Sequence, residues 1–271
     1  DAVAGFAAAL PWFGALSLAV GVAGLALCLR PVRKGVARLV PIDPDRVVHA
    51  AALVLAAHIV GLSGAVALFL PIALRDKAAI ETIAGSADLA QLWAQGLGFV
   101  ALAALGVGLA VQRGPRATLE RLGLTTSFSW RWWLATTVLG LASGVVVDQL
   151  WAILDSQGLA EVQRISDALF EPYLAFGVWG AVTIGVSAGI GEEILFRGAA
   201  QPRLGLIFTP LLFAVLHTQY TISLALVQVF VVGLLLGLTR RHANTTTAIA
   251  SHATYNFVLA ALALYAPQLA P

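Results

Sequence analysis

The chain has 271 residues, of which 59% are hydrophobic and only 11% charged, with a mean hydropathy of +0.89. Soluble domains carry roughly 25% charged residues, so this composition excludes a soluble domain and a disordered chain and indicates an integral membrane protein. The net charge of +2 gives no basis for a nucleic-acid partner.

Eight apolar runs fall near 3–29, 47–74, 89–112, 132–154, 173–200, 203–219, 221–239 and 246–266. Each approaches the ~20 residues that cross hydrocarbon. The runs are too long and too unalternating for barrel strands, and backbone groups in lipid must pair within the segment, so they are predicted helices. The sixth and seventh are divided only by His217 to Tyr220. Residues 3–29 exceed a signal-peptide core and lack basic residues before them, so they read as a retained span. The absence of any methionine reads as a trimmed or processed start, and the single Cys28 has no internal disulfide partner.

Basic residues test the count. Arg30, Arg33, Lys34, Arg38 and Arg46, then Arg113, Arg116, Arg121 and Arg131, then Arg197 and Arg203, then Arg240 and Arg241 share one side; only Arg75, Lys77 and Arg164 remain for the other. Eight spans with both termini outside put the basic connections in the cytoplasm. The segment 155–171 is then external, acidic (Asp155, Glu161, Asp167, Glu171) and predicted to form a short surface helix. Glycines spaced by four, Gly140/Gly144, Gly185/Gly189 and Gly233/Gly237, predict close helix packing. A polar connection near 113–131 suggests a three-span N-terminal extension, 1–130, and a catalytic bundle, 131–271.

Three phrases place polar groups among these runs: Glu192-Glu193-x-x-x-Arg197, Phe213-x-x-x-His217 and His252-x-x-x-Asn256. Ionisable groups at membrane depth face a polar cavity and mark a functional path. Counted from the cytoplasmic helix ends, Glu192 lies about 12 Å deep, His217 about 21 Å, His252 about 9 Å and Asn256 about 15 Å. Tilt absorbs such differences, so one cavity opening toward the cytoplasm is expected. His252 and Asn256 share a helix face, as do Phe213 and His217. Glu193 and Arg197 suit an ion pair, and Glu192 points about 100° away from it. Peptide hydrolysis needs a base for water and donors for an oxyanion. Glu192 with His217 suits the first task, and His252 with Asn256 the second.

This motif set resembles the CPBP family of intramembrane proteases, which includes the type II CAAX prenyl endopeptidases and the bacteriocin-processing and immunity (ABI-like) proteins. The resemblance covers roughly 130–266, with Phe196-Arg197-Gly198 and Gly233-Leu-Leu-Leu-Gly237 as supporting context. It implies an all-α polytopic bundle and a peptidase in which Glu192 and His217 activate water, His252 and Asn256 partner the oxyanion, and Glu193, Arg197 and Phe213 support them. The expected substrate is a membrane-associated peptide or protein, in some relatives a prenylated CAAX tail. A metal-free reaction is favoured. Were zinc used, Glu192, His217 and His252 would be the ligands, although no His-Glu-x-x-His helix occurs. A transporter would show polar groups in both halves, and an inactive scaffold would not need the whole set. The Ala-, Gly- and Leu-rich, lysine-poor chain points to a prokaryotic plasma membrane. Asp148 and Gln149 read as interfacial, His58 as an interhelical hydrogen bond, and Trp130, Trp132 and Trp133 as an interfacial anchor.

Overall fold

The computed structural model describes residues 2–40, 42–73, 85–124, 127–217, 220 and 223–266. The expected outer-side residues Arg75 and Lys77 lie outside them. The described elements are α1 (Ala2–Leu27), α2 (Arg30–Val36), α3 (Val47–Ala73), α4 (Leu89–Gly106), α5 (Pro115–Leu122), α6 (Trp130–Leu154), α7 (Ser156–Leu174), α8 (Val178–Glu193), a π-helical stretch Ile194–Ala200, α9 (Gln201–Val215), α10 (Leu224–His242) and α11 (Thr245–Tyr265). No β-strand is formed among the described residues, and the polytopic helical bundle is as expected.

Sequence sets the helix ends. Asp88 caps α4 by accepting from the Ala90 N–H, Asp155 caps α7 by accepting from Gly158, and Asn244 caps α11 by accepting from Thr247 at 2.7 Å. Pro115 opens α5, and Gly123 closes it at φ 71°, where a side chain would be strained.

Six described helices are long and apolar enough to cross a bilayer, or up to seven if Pro11–Leu27 and Arg30–Val36, bent by 97°, form one span. Among the described residues this is fewer than the eight runs, and part of the difference lies at the fifth and sixth. There the helical path continues from Val178 to Val215, 38 residues. Gly205, at φ 83° and ψ 177°, turns the path without a loop. Beyond it α9 runs only roughly 15 Å, about half the thickness of a membrane, and His217 follows directly on its C-terminal end.

Glycines set the spacing of the central helices. A Cβ on Gly185 would lie 2.6 Å from the Ala253 carbonyl oxygen, and one on Gly189 would lie 2.9 Å from the Ala253 nitrogen. Only glycine lets α8 approach α11 this closely. Gly233 and Gly237 of α10 face Phe213, Pro210, Leu206 and Gln201 in the same manner. α4, expected as part of the N-terminal extension, packs with the later helices: a Cβ on Gly191 would lie 2.7 Å from the Gly96 Cα, and Ala103 and Val107 join Leu122 and Ile194 in one core cluster.

One end of the bundle is closed by hydrogen bonds between connections. Thr245 Oγ1 donates to the Leu122 carbonyl (2.6 Å), Asn244 to the Ser127 carbonyl (2.9 Å), and Arg121 Nη1 to the Gly198 carbonyl (3.1 Å). Arg121 stands here with Arg203, Arg113 and Arg240; burial first, then these guanidiniums, push its pKa down. At the other end lies α7, the surface helix expected from the acidic segment. It buries Val162 and Ile165 and exposes Asp167 and Glu171.

His58 does not make the expected interhelical bond. Its Nδ1 pairs with the Val54 carbonyl of its own helix at 2.7 Å, while its ring packs on Gly24 of α1. Of the three tryptophans, Trp130 is exposed, Trp132 stacks on His242, and Trp133 Nε1 donates to Thr254 Oγ1 at 3.0 Å, tying α6 to α11.

Candidate active site

Glu192 and Glu193 close α8 just as the helix widens into a π-turn. Such turns are rare and recur at functional sites. Glu193 is fully buried, and its Oε1 forms an ion pair with Arg197 Nη1 at 3.0 Å, the pairing the spacing predicts. The same oxygen accepts from His252 Nδ1 at 2.8 Å. Arg197, also fully buried, donates from Nη2 to the Gly233 carbonyl at 3.0 Å, and its Cζ lies 4.4 Å from the centroid of the Phe213 ring. That cation–π contact adds to the ion pair in holding a desolvated guanidinium.

Phe213 connects the remaining groups. Its ring centroid is 4.6 Å from that of His217 and 6.0 Å from that of His252. His217 Nδ1 donates to the Phe213 carbonyl at 2.8 Å, which leaves Nε2 as an acceptor. Asn256 Nδ2 donates to His252 Nε2 at 3.2 Å. In this arrangement His252 carries a proton on Nδ1, toward Glu193, and takes the Asn256 amide hydrogen at Nε2. Glu192 takes no part in this chain of contacts: its Oε2 is buried, makes no hydrogen bond, and lies 4.0 Å from His252 Nε2.

Glu192, His217, His252, Asn256 and Phe213 all line one cavity of about 770 Å³. The lining comes from the far halves of α6 (Gly144, Asp148), α10 (Gln228) and α11 (Leu259, Ala263) and from α7. The cavity therefore runs away from the arginine-bearing connections. Depth arithmetic locates a residue along its own helix but does not say at which end neighbouring helices part. Here the bonds of Leu122, Ser127 and Gly198 close the arginine end. Leu92, Gln95, Gly96 and Phe99 of α4 also line the cavity. They carry no motif, and the close approaches of Gly96 to Ser187 and Gly191 set them against the helix that bears Glu192 and Glu193.

A catalytic zinc takes three protein ligands, but both ring nitrogens of His252 are already engaged, which leaves Glu192 and His217. Among the described residues, no group of three or more His, Cys, Asp or Glu side chains is placed to hold a metal ion.

Residues 174–258 match the sequence model of a family described as Type II CAAX prenyl endopeptidase Rce1-like. The matched segment holds all three polar phrases and supports the CPBP resemblance. No curated protein and no solved structure gives a significant match.

Proposed function

We propose that this chain, which carries the CPBP-family signature over residues 174–258, is an intramembrane endopeptidase that hydrolyses a peptide bond with a glutamate-activated water. The observation that carries the reading is the contrast within one dipeptide. Glu193 is locked between Arg197 and His252 and does not line the cavity, whereas Glu192 lines it and makes no ion pair closer than the 4.0 Å approach of its Oε2 to His252 Nε2.

Glu192 and His217 Nε2 are two acceptors on one cavity, and a water has two O–H groups to give them. That leaves its lone pair for a carbonyl carbon. Glu192 takes the proton as the C–O bond forms, then passes it to the amide nitrogen as the C–N bond breaks, giving an acid and an amine. Asn256 uses one amide hydrogen on His252 and keeps the second for the developing oxyanion. In this tautomer His252 Nε2 is an acceptor, so His252 acts chiefly by aiming Asn256; direct donation by His252 would require a second ring proton. Arg197 and Glu193 hold His252 in turn.

The substrate class is a membrane-associated peptide or protein. With the arginine connections in the cytoplasm, the cavity faces the opposite half of the membrane. Purified protein in lipid nanodiscs, given a panel of lipidated and unlipidated peptides, tests the reading by mass spectrometry of the products. Wild-type protein yields two fragments and Glu192→Gln yields none. Cleavage that persists in Glu192→Gln overturns the mechanism.

A further inference from the structure

Asp148 is a carboxylate inside a membrane-spanning helix that the hydrolytic machinery does not use. It lines the catalytic cavity and has no ion pair or hydrogen bond among the described residues. A charged group at such a place is by default functional. Its surroundings indicate the chemistry. Gly140, Gly144 and Asp148 recur at four-residue spacing on one face of α6. A Cβ on Gly140 would lie 3.2 Å from the Tyr255 ring, and one on Gly144 would lie 3.4 Å from Gln228 Nε2. This face therefore packs against Tyr255, next to Asn256 in sequence, and against Gln228.

Gln228 is held in one orientation. Its Nε2 donates to the Gly140 carbonyl (3.1 Å), to Ser143 Oγ (3.1 Å) and, more distantly, to Tyr255 OH (3.4 Å). Its Oε1 is buried and accepts nothing. The wall thus carries, beyond the fixed Gln228, a carboxylate without a cation. No lysine or arginine is among the cavity's described lining residues, whereas Asp148, Asp167, Glu171 and Glu192 all are. Arg164, on the same helix as Asp167, is paired with Glu161 at 2.9 Å and does not line the cavity. A cleft of one sign with apolar walls concentrates counter-ions.

We propose that Asp148 forms a cation-recognition subsite that takes a lysine or arginine side chain, or a free amino terminus, of the peptide being cleaved. The proposal rests on the endopeptidase reading for the position of the scissile bond. Asp148 lies two helical turns, roughly 12 Å, beyond the level where Gly140 meets Tyr255. An extended peptide covers that span in about three or four residues. The charged residue is therefore expected at about that distance from the cleaved bond, and Asp167 and Glu171 at the mouth draw it in.

The probe is a set of quenched-fluorescent peptides with lysine, acetyl-lysine or norleucine scanned across positions on either side of one scissile bond, assayed with full-length protein in nanodiscs. A charge-assisted contact predicts that lysine three or four residues away raises kcat/KM about tenfold over norleucine. Acetyl-lysine, which keeps the length but not the charge, behaves as norleucine, a comparison needing no variant. Asp148→Asn brings the ratio near one and Asp148→Glu restores it. Anisotropy with Glu192→Gln protein reads the same preference as binding. Tighter binding of the lysine peptide, lost in the Glu192→Gln, Asp148→Asn double variant, supports the subsite even if no peptide is cleaved and the endopeptidase reading falls. Equal rates and equal affinities for lysine and norleucine at every position overturn the subsite, whatever becomes of proteolysis.

Discussion

Glu193 Oε1 and His252 Nδ1 lie 2.8 Å apart, with their side chains 0% and 5% exposed. This contact joins the second half of α8 to the middle of α11 and fixes which nitrogen of His252 carries the proton. In the proposed mechanism it makes Glu193, a residue whose spacing suggests only an ion pair with Arg197, a positioning residue for the site as well.

Removing that carboxylate leaves Arg197 charged and fully buried, with the Gly233 carbonyl and the Phe213 and Phe196 rings but no paired carboxylate. Breaking a buried pair in this way costs about 3–5 kcal/mol. Glu193→Ala is therefore expected to unfold at markedly lower temperature in detergent and to lose turnover, because His252 is released. A variant with unchanged Tm and unchanged turnover would show that the contact does neither.

Glu192 is expected to behave in the opposite way. Its Oε2 makes no hydrogen bond and only a 4.0 Å approach to His252 Nε2, so Glu192→Gln should stay close to the wild-type Tm. A general base supplies about 10²–10⁴ in rate, and kcat should fall by at least that much. Equal loss of Tm in the Glu192 and Glu193 variants would remove the division of labour between them.

Much of this was legible from spacing. Four-residue intervals put His252 with Asn256 and Glu193 with Arg197, and both pairs are in contact. The glycines at 185, 189, 233 and 237 sit where helices touch. The π-turn at Ile194–Ala200, the break at Gly205 and the part of α4 in the cavity wall were not legible. These depend on contacts between residues far apart in the chain. Hydropathy, which averages along the chain, reads the half-length α9 and the turn before it as one more span.

Asn256 supplies the free donor in the proposed oxyanion site. Loss of one such donor costs about 10²–10³ in kcat, so Asn256→Ala should show that fall with little change in KM. Substrate affinity falling while kcat holds would instead assign Asn256 to binding.

Gly185→Ala tests whether helix spacing sets the chemistry. Its Cβ would meet the Ala253 carbonyl oxygen at 2.6 Å, a backbone atom that cannot swing aside. Overpacking of this sort costs about 1–3 kcal/mol and would push α8 from α11, lengthening the Glu193–His252 contact. Lower Tm together with lower kcat is expected; lower Tm alone would mean that the site tolerates the displacement.

Metal chelation tests the donor argument. His252 Nδ1 and Nε2 are engaged by Glu193 and Asn256, so two free protein donors remain where zinc needs three. Turnover should persist after dialysis against a strong chelator, with metal content well below one ion per chain by elemental analysis. Activity lost on chelation and restored by stoichiometric zinc would require His252 to leave Asn256, and with it the proposed use of the asparagine's second N–H as the oxyanion donor would fall.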